Sequence, residues 1–158
     1  MIQNRLSNFF KFLTFSPLLI YFGKRSLIAF DEGFYALQAR WILDSRDWIT
    51  PMWWGKISLD RTIGIQYLIA LSQKVFGENF HSIYVPTTIA ACLFLYFTYV
   101  LHKELIGDKN AIVSPLILGT TFLWINYSHL ATQDIVFSSI VTSGILFSIK
   151  ATKLNKNK

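Results

Sequence analysis

The sequence predicts an all-α integral membrane protein, with about four transmembrane helices and two amphipathic interfacial helices in the first outer loop. Three observations support this class. The 158 residues are 53% hydrophobic with a mean hydropathy of +0.40, which is too apolar for an ordinary soluble domain of this size. Long apolar runs recur along the chain. The Lys and Arg residues, which give a net charge of +6, lie at the ends of these runs, as is typical of topology-setting charges.

The distribution of basic residues also indicates which binding partners to expect. Because the basic residues are not gathered on one polar segment, we expect membrane lipids, and not nucleic acid, as a partner. The single cysteine, Cys92, excludes an intramolecular disulfide, and no Cys/His cluster suggests a structural zinc site. The histidines His81, His102 and His129 are single residues at membrane edges and are expected to have no functional role.

A single membrane domain, residues 1–158, contains four apolar runs. The first includes Lys11 and Pro17, and no small-x-small cleavage site follows it. It is therefore predicted to be an uncleaved transmembrane helix, with a signal-peptide core as the alternative. The second run carries no charge and has Pro86 in its first turn. The predicted segments are span 1 at residues 9–30, the outer loop at 31–82, span 2 at 83–101, span 3 at 111–128, span 4 at 135–150 and a basic cytoplasmic tail at 151–158.

The Lys and Arg residues also predict the orientation. With the N-terminus inside, the cytoplasmic side receives the basic N-terminal residues, the loop between spans 2 and 3, and the basic tail. Residues 24–82 carry seven basic and six acidic residues and are nearly neutral. The higher basic density inside predicts an N-in, C-in topology. In this topology Asp31, Glu32, Asp60 and Asp134 all lie on the outer face.

The outer loop contains two helical patterns that are predicted to lie in the membrane interface. In the first, Leu37, Trp41 and Ile42 share one side and Gln38 lies elsewhere. The second begins at Ile63 and places its apolar residues at helical spacing: Tyr67, Leu68, Leu71, Val75 and Phe76. A turn at Trp53-Trp54-Gly55 lies between the helices, and its tryptophans are more typical of an interfacial anchor than of a sugar platform.

Acidic residues mark the candidate site. Asp31 and Glu32 follow an apolar segment, Asp60-Arg61 precede the second surface helix, and Asp134 is the only acidic residue between spans 3 and 4. A carboxylate so near hydrocarbon is costly unless it is paired or functional. Each group also has a structural interpretation. The acids at both helix starts are favourable caps, and the Asp60-Arg61 pair is a solvated surface pair.

These residues belong to a longer ordered pattern. It reads Asp31-Glu32-x-x-Tyr35-Ala36, Asp47-Trp48-x-x-Pro51, Asp60-Arg61, Gln66-Tyr67-Leu68, Val75-Phe76-Gly77, Pro86 and Thr132-Gln133-Asp134. The pattern resembles the N-terminal part of the C-type glycosyltransferases, and within them the protein O-mannosyltransferase and lipid A aminoarabinose transferase group. The resemblance covers roughly residues 25–147. The chain departs from the group at Arg61-Thr62-Ile63, where Lys-Pro-Pro is usual, and at Tyr84, where arginine is common.

The resemblance implies a function. Members of this group move a sugar from a polyprenyl-phosphate carrier to an acceptor on the outer or lumenal face. By this resemblance Asp31 engages the acceptor or a divalent metal ion, with Glu32 beside it, and Asp134 is the second acidic residue. Arg61 takes the place of the lysine that meets the carrier phosphate, with Asp60 and Tyr35 as further substrate-binding residues.

The residue types suit this chemistry, because a carboxylate accepts the proton of an acceptor hydroxyl and a guanidinium or divalent cation stabilises a leaving phosphate. Two function classes remain open. The first is a membrane glycosyltransferase, or its N-terminal part, that acts on an envelope lipid, glycan or protein. The bacterial cytoplasmic membrane is favoured over the endoplasmic reticulum, because no retention signal is present.

The second class is a non-catalytic small membrane protein, a helix-packing subunit or a degenerate remnant of the same family. Its signal is a face of small residues on span 4, formed by Ser138, Ser139, Thr142 and Ser143 with Gly144 beside them. Such a face predicts additional membrane helices from another chain.

Overall fold

The computed structural model describes residues 8, 12, 14–19 and 26–156. Predicted span 1 lies largely outside the described residues. The elements are a 3-10 helix at Ser16–Leu19, α1 at Glu32–Ser45, β1 at Met52–Trp53, β2 at Lys56–Ile57, α2 at Gly64–Phe76, α3 at Phe80–Leu105, α4 at Val113–Thr120, α5 at Phe122–Ser128 and α6 at Gln133–Lys156.

Helices α3 and α6 form the centre of the fold. Among the described helices, these two are long and apolar enough to cross a membrane. They pack side by side and run in the same direction. Lys153 Nζ lies 2.9 Å from Glu104 Oε2 at their C-terminal ends, and Ala131 packs in one cluster with Ile83 and Tyr84 at their N-terminal ends. These helices correspond to predicted spans 2 and 4.

Helix α3 begins before predicted span 2. The Asn79 side chain accepts a hydrogen bond from the backbone N–H of Ser82 at 2.9 Å, and the Asn79 N–H donates to Ser82 Oγ at 3.3 Å. This reciprocal capping box starts the helix at Phe80. Pro86 therefore lies inside the helix and not in its first turn, so the predicted position of Pro86 is corrected.

The structure divides predicted span 3, residues 111–128, into the two helices α4 and α5, with a break at Thr121. Thr121 has an extended backbone, with φ −69° and ψ 137°, and its hydroxyl donates to the carbonyl of Leu118 at 2.8 Å. Gly119, just before the break, lies so close to Thr14 that a Cβ there would be 3.1 Å from the Thr14 carbonyl oxygen. Neither α4 nor α5 alone has the ~20 residues that a crossing requires.

Helices α1 and α2 lie where the sequence predicts helices, but the buried face of α1 differs from the prediction. Gln38 is 1% exposed and lies on the buried side with Ile42, whereas Leu37 and Trp41 are exposed. The reason is a polar pair, since the side-chain amides of Gln38 and Gln66 meet at 2.7 Å between the two helices. This contact pairs the Gln38 oxygen, which lowers the cost of burying the amide, while Gln38 Nε2 has no hydrogen bond among the described residues.

A short hairpin adds two strands to the predicted all-α class. Met52 pairs with Ile57 and Trp53 with Lys56 in an antiparallel ladder. Trp54 and Gly55 both have positive φ, of 51° and 76°, which matches a two-residue type I′ turn. The predicted turn at Trp53-Trp54-Gly55 is therefore confirmed. The Trp53 ring lies 4.6 Å from the Phe34 ring, which places the hairpin against the first turns of α1.

Two apolar clusters support the fold. One joins α1, α2 and the start of α3 around Tyr35, Ile42 and Ile69. The other joins α3, α5 and the 3-10 helix around Leu95, Trp124 and Leu18. Together they hold the N-terminal ends of α1, α2 and α6 over the N-terminal half of α3.

Candidate active site

The N-terminal ends of α1, α2 and α6 meet at one end of the molecule, which we call the site end. Glu32 Oε1 accepts a hydrogen bond from the Ala131 backbone N–H at 2.8 Å, although the two residues are 99 positions apart. The Thr62 hydroxyl donates to Gln133 Oε1 at 3.2 Å. The sequence prediction that Asp31, Glu32 and Asp134 lie at the same end of the spans therefore agrees with the structure.

Glu32 is buried, at 0% exposure, and both of its carboxylate oxygens accept backbone N–H groups. Oε2 accepts from Ile28 at 2.8 Å and Oε1 from Ala131 at 2.8 Å. Two charge-assisted hydrogen bonds of this kind stabilise a buried carboxylate. Glu32 thus ties the segment before α1 to the segment before α6, and its side chain does not open to the surface.

Asp31 lies next to Glu32 but in a different environment. Its side chain is 58% exposed, and it makes no capping hydrogen bond although it stands at the N-cap of α1. Oδ1 accepts from both terminal nitrogens of Arg61 at 3.2 Å. Within the described part of the chain Oδ2 has no hydrogen-bond donor. One carboxylate oxygen is therefore fixed by Arg61 while the other is open to a ligand.

The guanidinium of Arg61 is held on several sides. It donates to the Tyr35 hydroxyl at 2.9 Å and to Asp31, and it lies 5.2 Å from the centre of the Tyr35 ring and 5.4 Å from that of Phe34. The hydrogen bond to Tyr35 raises the pKa of Arg61 above its ordinary value, and Asp31 acts in the same direction. The guanidinium therefore stays charged at physiological pH. Its Nε–H makes no hydrogen bond to any described residue and can donate to an anion.

The remaining predicted site residues, Asp134, Tyr35 and Asp60, lie in three different environments. Asp134 is exposed in the first turn of α6, where its Oδ2 accepts from the Thr132 hydroxyl at 2.8 Å. Tyr35 is 1% exposed, so it holds Arg61 in place and does not offer a surface to a substrate. Asp60 contacts only the Ser58 hydroxyl, at 3.1 Å, among the described residues, and is not joined to the Arg61 group by any side-chain contact there.

The predicted divalent metal ion between Asp31 and Glu32 does not fit this geometry. Both Glu32 oxygens already accept backbone N–H groups, and the carboxylate is fully buried. Within residues 26–156 and the few described before them, no three His, Cys, Asp or Glu side chains group as cation ligands.

Three contributors to the site were not predicted. Phe34 supplies a ring against Arg61, and Thr62 joins Gln133 across the ends of α2 and α6. The backbone N–H of Ala131 is the third. Gln133 stands inside the Thr132-Gln133-Asp134 pattern, which is the only sequence signal for these contacts.

Comparison with known proteins shows the family. The family model for dolichyl-phosphate-mannose-protein mannosyltransferase matches residues 60–158. The chain belongs to this family. Together with the two long apolar helices, this membership identifies the chain as a membrane protein. No solved structure matches the chain.

Similar curated proteins are much longer than this chain. A protein of Aquifex aeolicus without an assigned function is 29% identical over 129 residues, which are 79% of this chain and 26% of that protein. An undecaprenyl phosphate-alpha-4-amino-4-deoxy-L-arabinose arabinosyl transferase of Pseudomonas paraeruginosa is 29% identical over 69% of this chain and 21% of its own length. The transferase of that name from Pseudomonas savastanoi is 25% identical over 75% of this chain and 23% of its length. The chain thus spans about a quarter or less of these relatives.

Proposed function

We propose that this chain supplies the acidic site of a membrane glycosyltransferase that moves a sugar from a polyprenyl-phosphate carrier to an envelope lipid, glycan or protein acceptor. The observation that carries the proposal is the pairing of Asp31 with Arg61, because it joins a partly open carboxylate to a fixed guanidinium. Family membership and the names of the curated relatives support the substrate class.

Asp31 acts as the general base in this proposal. The acceptor hydroxyl gives its proton to the open Oδ2 of Asp31, and the acceptor oxygen bonds to the anomeric carbon of the donor sugar. The bond from that carbon to the carrier phosphate breaks, and its electron pair leaves with the phosphate. A single displacement of this kind needs one base and no covalent enzyme intermediate.

Arg61 binds the carrier phosphate. The guanidinium stays charged, its orientation is fixed by Tyr35 and Phe34, and its Nε–H is open to an anion. A fixed donor of this kind stabilises the charge that gathers on the leaving phosphate. Arginine offers a planar donor fork where lysine offers a point charge, so it performs the role of the usual lysine with a different geometry.

The other acids take supporting roles. Glu32 holds the segments that carry Asp31 and Asp134, because it binds backbone N–H groups on both sides. Asp134 faces the same end of the molecule and contacts the acceptor or the donor sugar. Asp60 is exposed beside Arg61 in the chain and contacts the substrate only if the loop around Ser58 turns it toward the guanidinium.

We infer that the site end lies on the outer face of a bacterial cytoplasmic membrane, with both chain termini inside. The opposite end carries Lys103, Lys150 and Lys153 around Glu104, as expected for a cytoplasmic end. Helices α1 and α2 then lie in the outer interface. Their exposed apolar residues support this placement: Leu37, Trp41, Leu68, Leu71, Val75 and Phe76.

The test is sugar transfer in membranes that carry the protein. Asp31→Asn removes the base and is expected to lower the transfer rate by about 10²- to 10⁴-fold. Asp44→Asn is the matched control, because Asp44 is an exposed acid on the same helix that pairs only with Arg40 among the described residues. Equal transfer rates in Asp31→Asn and Asp44→Asn would falsify the assignment of the base.

A second candidate function is a non-catalytic subunit that packs against other membrane helices. The open face of α6 favours it, because a Cβ at Gly144 would meet nothing within 4 Å and Ile140 and Phe147 are exposed nearby. In this case Gly144→Leu disrupts assembly with partner helices, and Asp31→Asn has no effect. Co-purification of a partner chain with each variant distinguishes the two functions.

A further inference from the structure

The strand β2 continues into a segment that turns its apolar side chains outward. The Ser58 N–H donates to the Pro51 carbonyl at 2.9 Å, which extends the pairing of β1 and β2 by one residue. Ser58 is buried, whereas Ile57 and Leu59 on either side of it are 66% and 79% exposed. Successive side chains of an extended segment point to opposite faces, and an antiparallel pair beside water normally turns its polar face outward. This segment does the reverse, which indicates that its outer face meets an apolar medium.

Two of the three tryptophans of this region are not part of that outer face. The Trp53 ring packs 4.6 Å from the Phe34 ring. The Tyr67 hydroxyl donates to the Trp48 carbonyl, and the two rings lie 5.8 Å apart. Trp48 and Trp53 are thus held against the protein, while Trp54 at the turn is exposed. We call the exposed apolar residues of the segment 48–59 the hairpin surface: Ile49, Trp54, Ile57 and Leu59.

The charge of this segment favours a lipid surface as its partner. Residues 48–59 contain no acidic residue and one basic residue, Lys56, which is exposed. Lipid phosphate groups attract lysine and repel carboxylates. Tryptophan is enriched at the head-group level of a membrane, where the stem of a lysine lies along apolar surface and its ammonium group reaches water or phosphate. Four exposed apolar residues with a single lysine match the chemistry of this layer.

The hairpin surface is also continuous with apolar residues of α1. Trp54 lines one small pocket together with Leu37 and Trp41, which are exposed on that helix. Two neighbouring elements thus turn apolar side chains to the same side. Contiguous exposed apolar surface of this kind marks a membrane or protein contact, and the membrane-crossing helices α3 and α6 place a bilayer next to it.

We propose that the hairpin surface inserts into the head-group layer of the leaflet at the site end. Its apolar side chains reach the upper acyl region, because interfacial elements bury their apolar faces about 5–10 Å into this boundary. Lys56 stays at the level of the phosphate groups. The partner is the phospholipid of the bilayer itself and not a reacting substrate.

The insertion also determines the height of Arg61. Trp53 and the Arg61 guanidinium pack on the same Phe34 ring, and Arg61 follows Leu59 by two positions. A hairpin in the head-group layer therefore holds the guanidinium near the level of the lipid phosphates. This consequence rests on the proposed function only where it concerns the carrier phosphate, and the insertion itself requires no sugar transfer.

Spin-label accessibility in phospholipid nanodiscs tests the insertion. In a Cys92→Ser background a nitroxide is attached to Ile57→Cys or to Leu59→Cys, and its collision rates with oxygen and with a water-soluble nickel complex are measured. The ratio of the two rates reports the depth of the label, because oxygen dissolves in the acyl layer and the nickel complex does not. We expect both labels about 5–10 Å below the phosphate level.

Two reference positions calibrate this depth. Ile89→Cys replaces an exposed isoleucine of α3 and marks the acyl layer, and Lys109→Cys lies in the polar turn after α3 and marks water. Thermal unfolding of each variant checks that it is folded. Labels at Ile57 and Leu59 that meet the nickel complex as often as the label at Lys109 overturn the proposal. Labels shielded from both reagents also overturn it, because a protein then covers the surface.

Tryptophan fluorescence gives a second readout that needs no label. Lipids brominated in the upper acyl chain quench tryptophans that lie near the bromine. Trp54→Phe is expected to lower the quenched share of the emission. Trp48→Phe, which removes a half-buried ring beside Tyr67, should not lower it. An unchanged quenched share in Trp54→Phe contradicts the insertion.

The insertion and the proposed function fail separately. Asp31→Asn should leave the depth of the label at Ile57 unchanged, since the Asp31 side chain is not part of the hairpin surface. If Asp31→Asn transfers sugar normally while the labels lie at the expected depth, the proposed base is wrong and the insertion stands. If the labels lie in water while Asp31→Asn loses transfer, the insertion is wrong and the base stands.

Discussion

The two ends of the α3 and α6 pair both carry a glutamate, but they hold it in opposite ways. At the site end Glu32 is fully buried and accepts two backbone N–H groups. At the other end, which we call the basic end, the Glu104 side chain is 27% exposed and lies 2.9 Å from Lys153 and 3.9 Å from Lys150. The Glu32 carboxylate is thus held by backbone N–H groups, whereas the Glu104 carboxylate is held by lysine side chains.

The difference explains where chemistry is feasible. At the site end Glu32 holds the backbone segments together. Among the described residues, Asp31 keeps one carboxylate oxygen without a donor, and Arg61 keeps its Nε–H and one Nη2–H without an acceptor. At the basic end both carboxylate oxygens of Glu104 already face a lysine, Oε1 facing Lys150 and Oε2 facing Lys153. The number of charged groups is similar at both ends. The two ends differ in which polar atoms already have a hydrogen-bond or ion-pair partner among the described residues.

The largest expected contrast concerns arginine and lysine at the two ends. Arg61→Gln removes the cation that is proposed to bind the leaving phosphate, and it is expected to lower the transfer rate by about 10²-fold or more. Lys153→Gln at the basic end and Arg46→Gln in an exposed loop should leave the rate nearly unchanged. Initial rates at saturating donor compare the three variants. A loss in Lys153→Gln as large as that in Arg61→Gln would contradict the contrast.

The next contrast concerns stability. Glu32→Gln keeps the shape but offers one acceptor oxygen to two buried N–H groups, so it is expected to lower the free energy of unfolding by about 1–3 kcal/mol. Glu104→Gln loses only solvated ion pairs and should change the free energy of unfolding much less than Glu32→Gln does. Denaturant unfolding in micelles measures both. Equal changes would remove the distinction between the two ends.

A smaller effect is expected from the hydroxyl that orients Arg61. Tyr35→Phe keeps the buried ring and the cation–π contact but removes the oxygen that accepts from Arg61. The KM for the donor should rise by about three- to tenfold, because one hydrogen bond to a charged group is lost, while kcat changes less. Tyr67→Phe, which also removes a tyrosine hydroxyl from the outer loop, is the control. A fall in kcat alone would show that Tyr35 does not act through binding.

The smallest expected effect is a pH dependence of the loop between α1 and β1. The backbone N–H of Ile49 lowers the pKa of Asp47, and the side chain and N–H of Thr50 act in the same direction. A lowered pKa means that the charged form stabilises the loop above the ordinary aspartate value of about 3.9. This contribution is lost as the pH falls through the lowered pKa. Hydrogen exchange at Ile49 should accelerate there relative to the intrinsic rate, and Asp47→Ala should show no such step.

Much of the fold was predictable because it follows from local patterns. The uncharged run at residues 83–101 and the run at residues 135–150 correspond to α3 and α6, and Gly55 marks the hairpin turn. The break at Thr121 was not predictable from hydropathy, since residues on both sides are apolar. Just before the break Gly119 closely approaches Thr14, and this tertiary contact has no local sequence signal.

The sequence indicates which residues form the candidate site, but it does not indicate how their contacts differ. Adjacent acids such as Asp31 and Glu32 look equivalent in a sequence. Their environments differ because Glu32 points inward from the first turn of α1 and meets the N–H of Ala131. A backbone partner has no side-chain signature, so no pattern could assign it. The inward turn of Gln38 has the same origin, since its partner Gln66 lies on another helix.

The central claim is that distant segments meet at the site end, and cysteine cross-linking tests it most directly. In a Cys92→Ser background, Thr62→Cys with Gln133→Cys should be joined by a short bifunctional methanethiosulfonate reagent, because these side chains are in hydrogen-bond contact. Thr62→Cys with Ser148→Cys should not be joined, because Ser148 lies about four turns further along α6 than Gln133. Absence of the first cross-link, or equal yields for both pairs, would contradict the account.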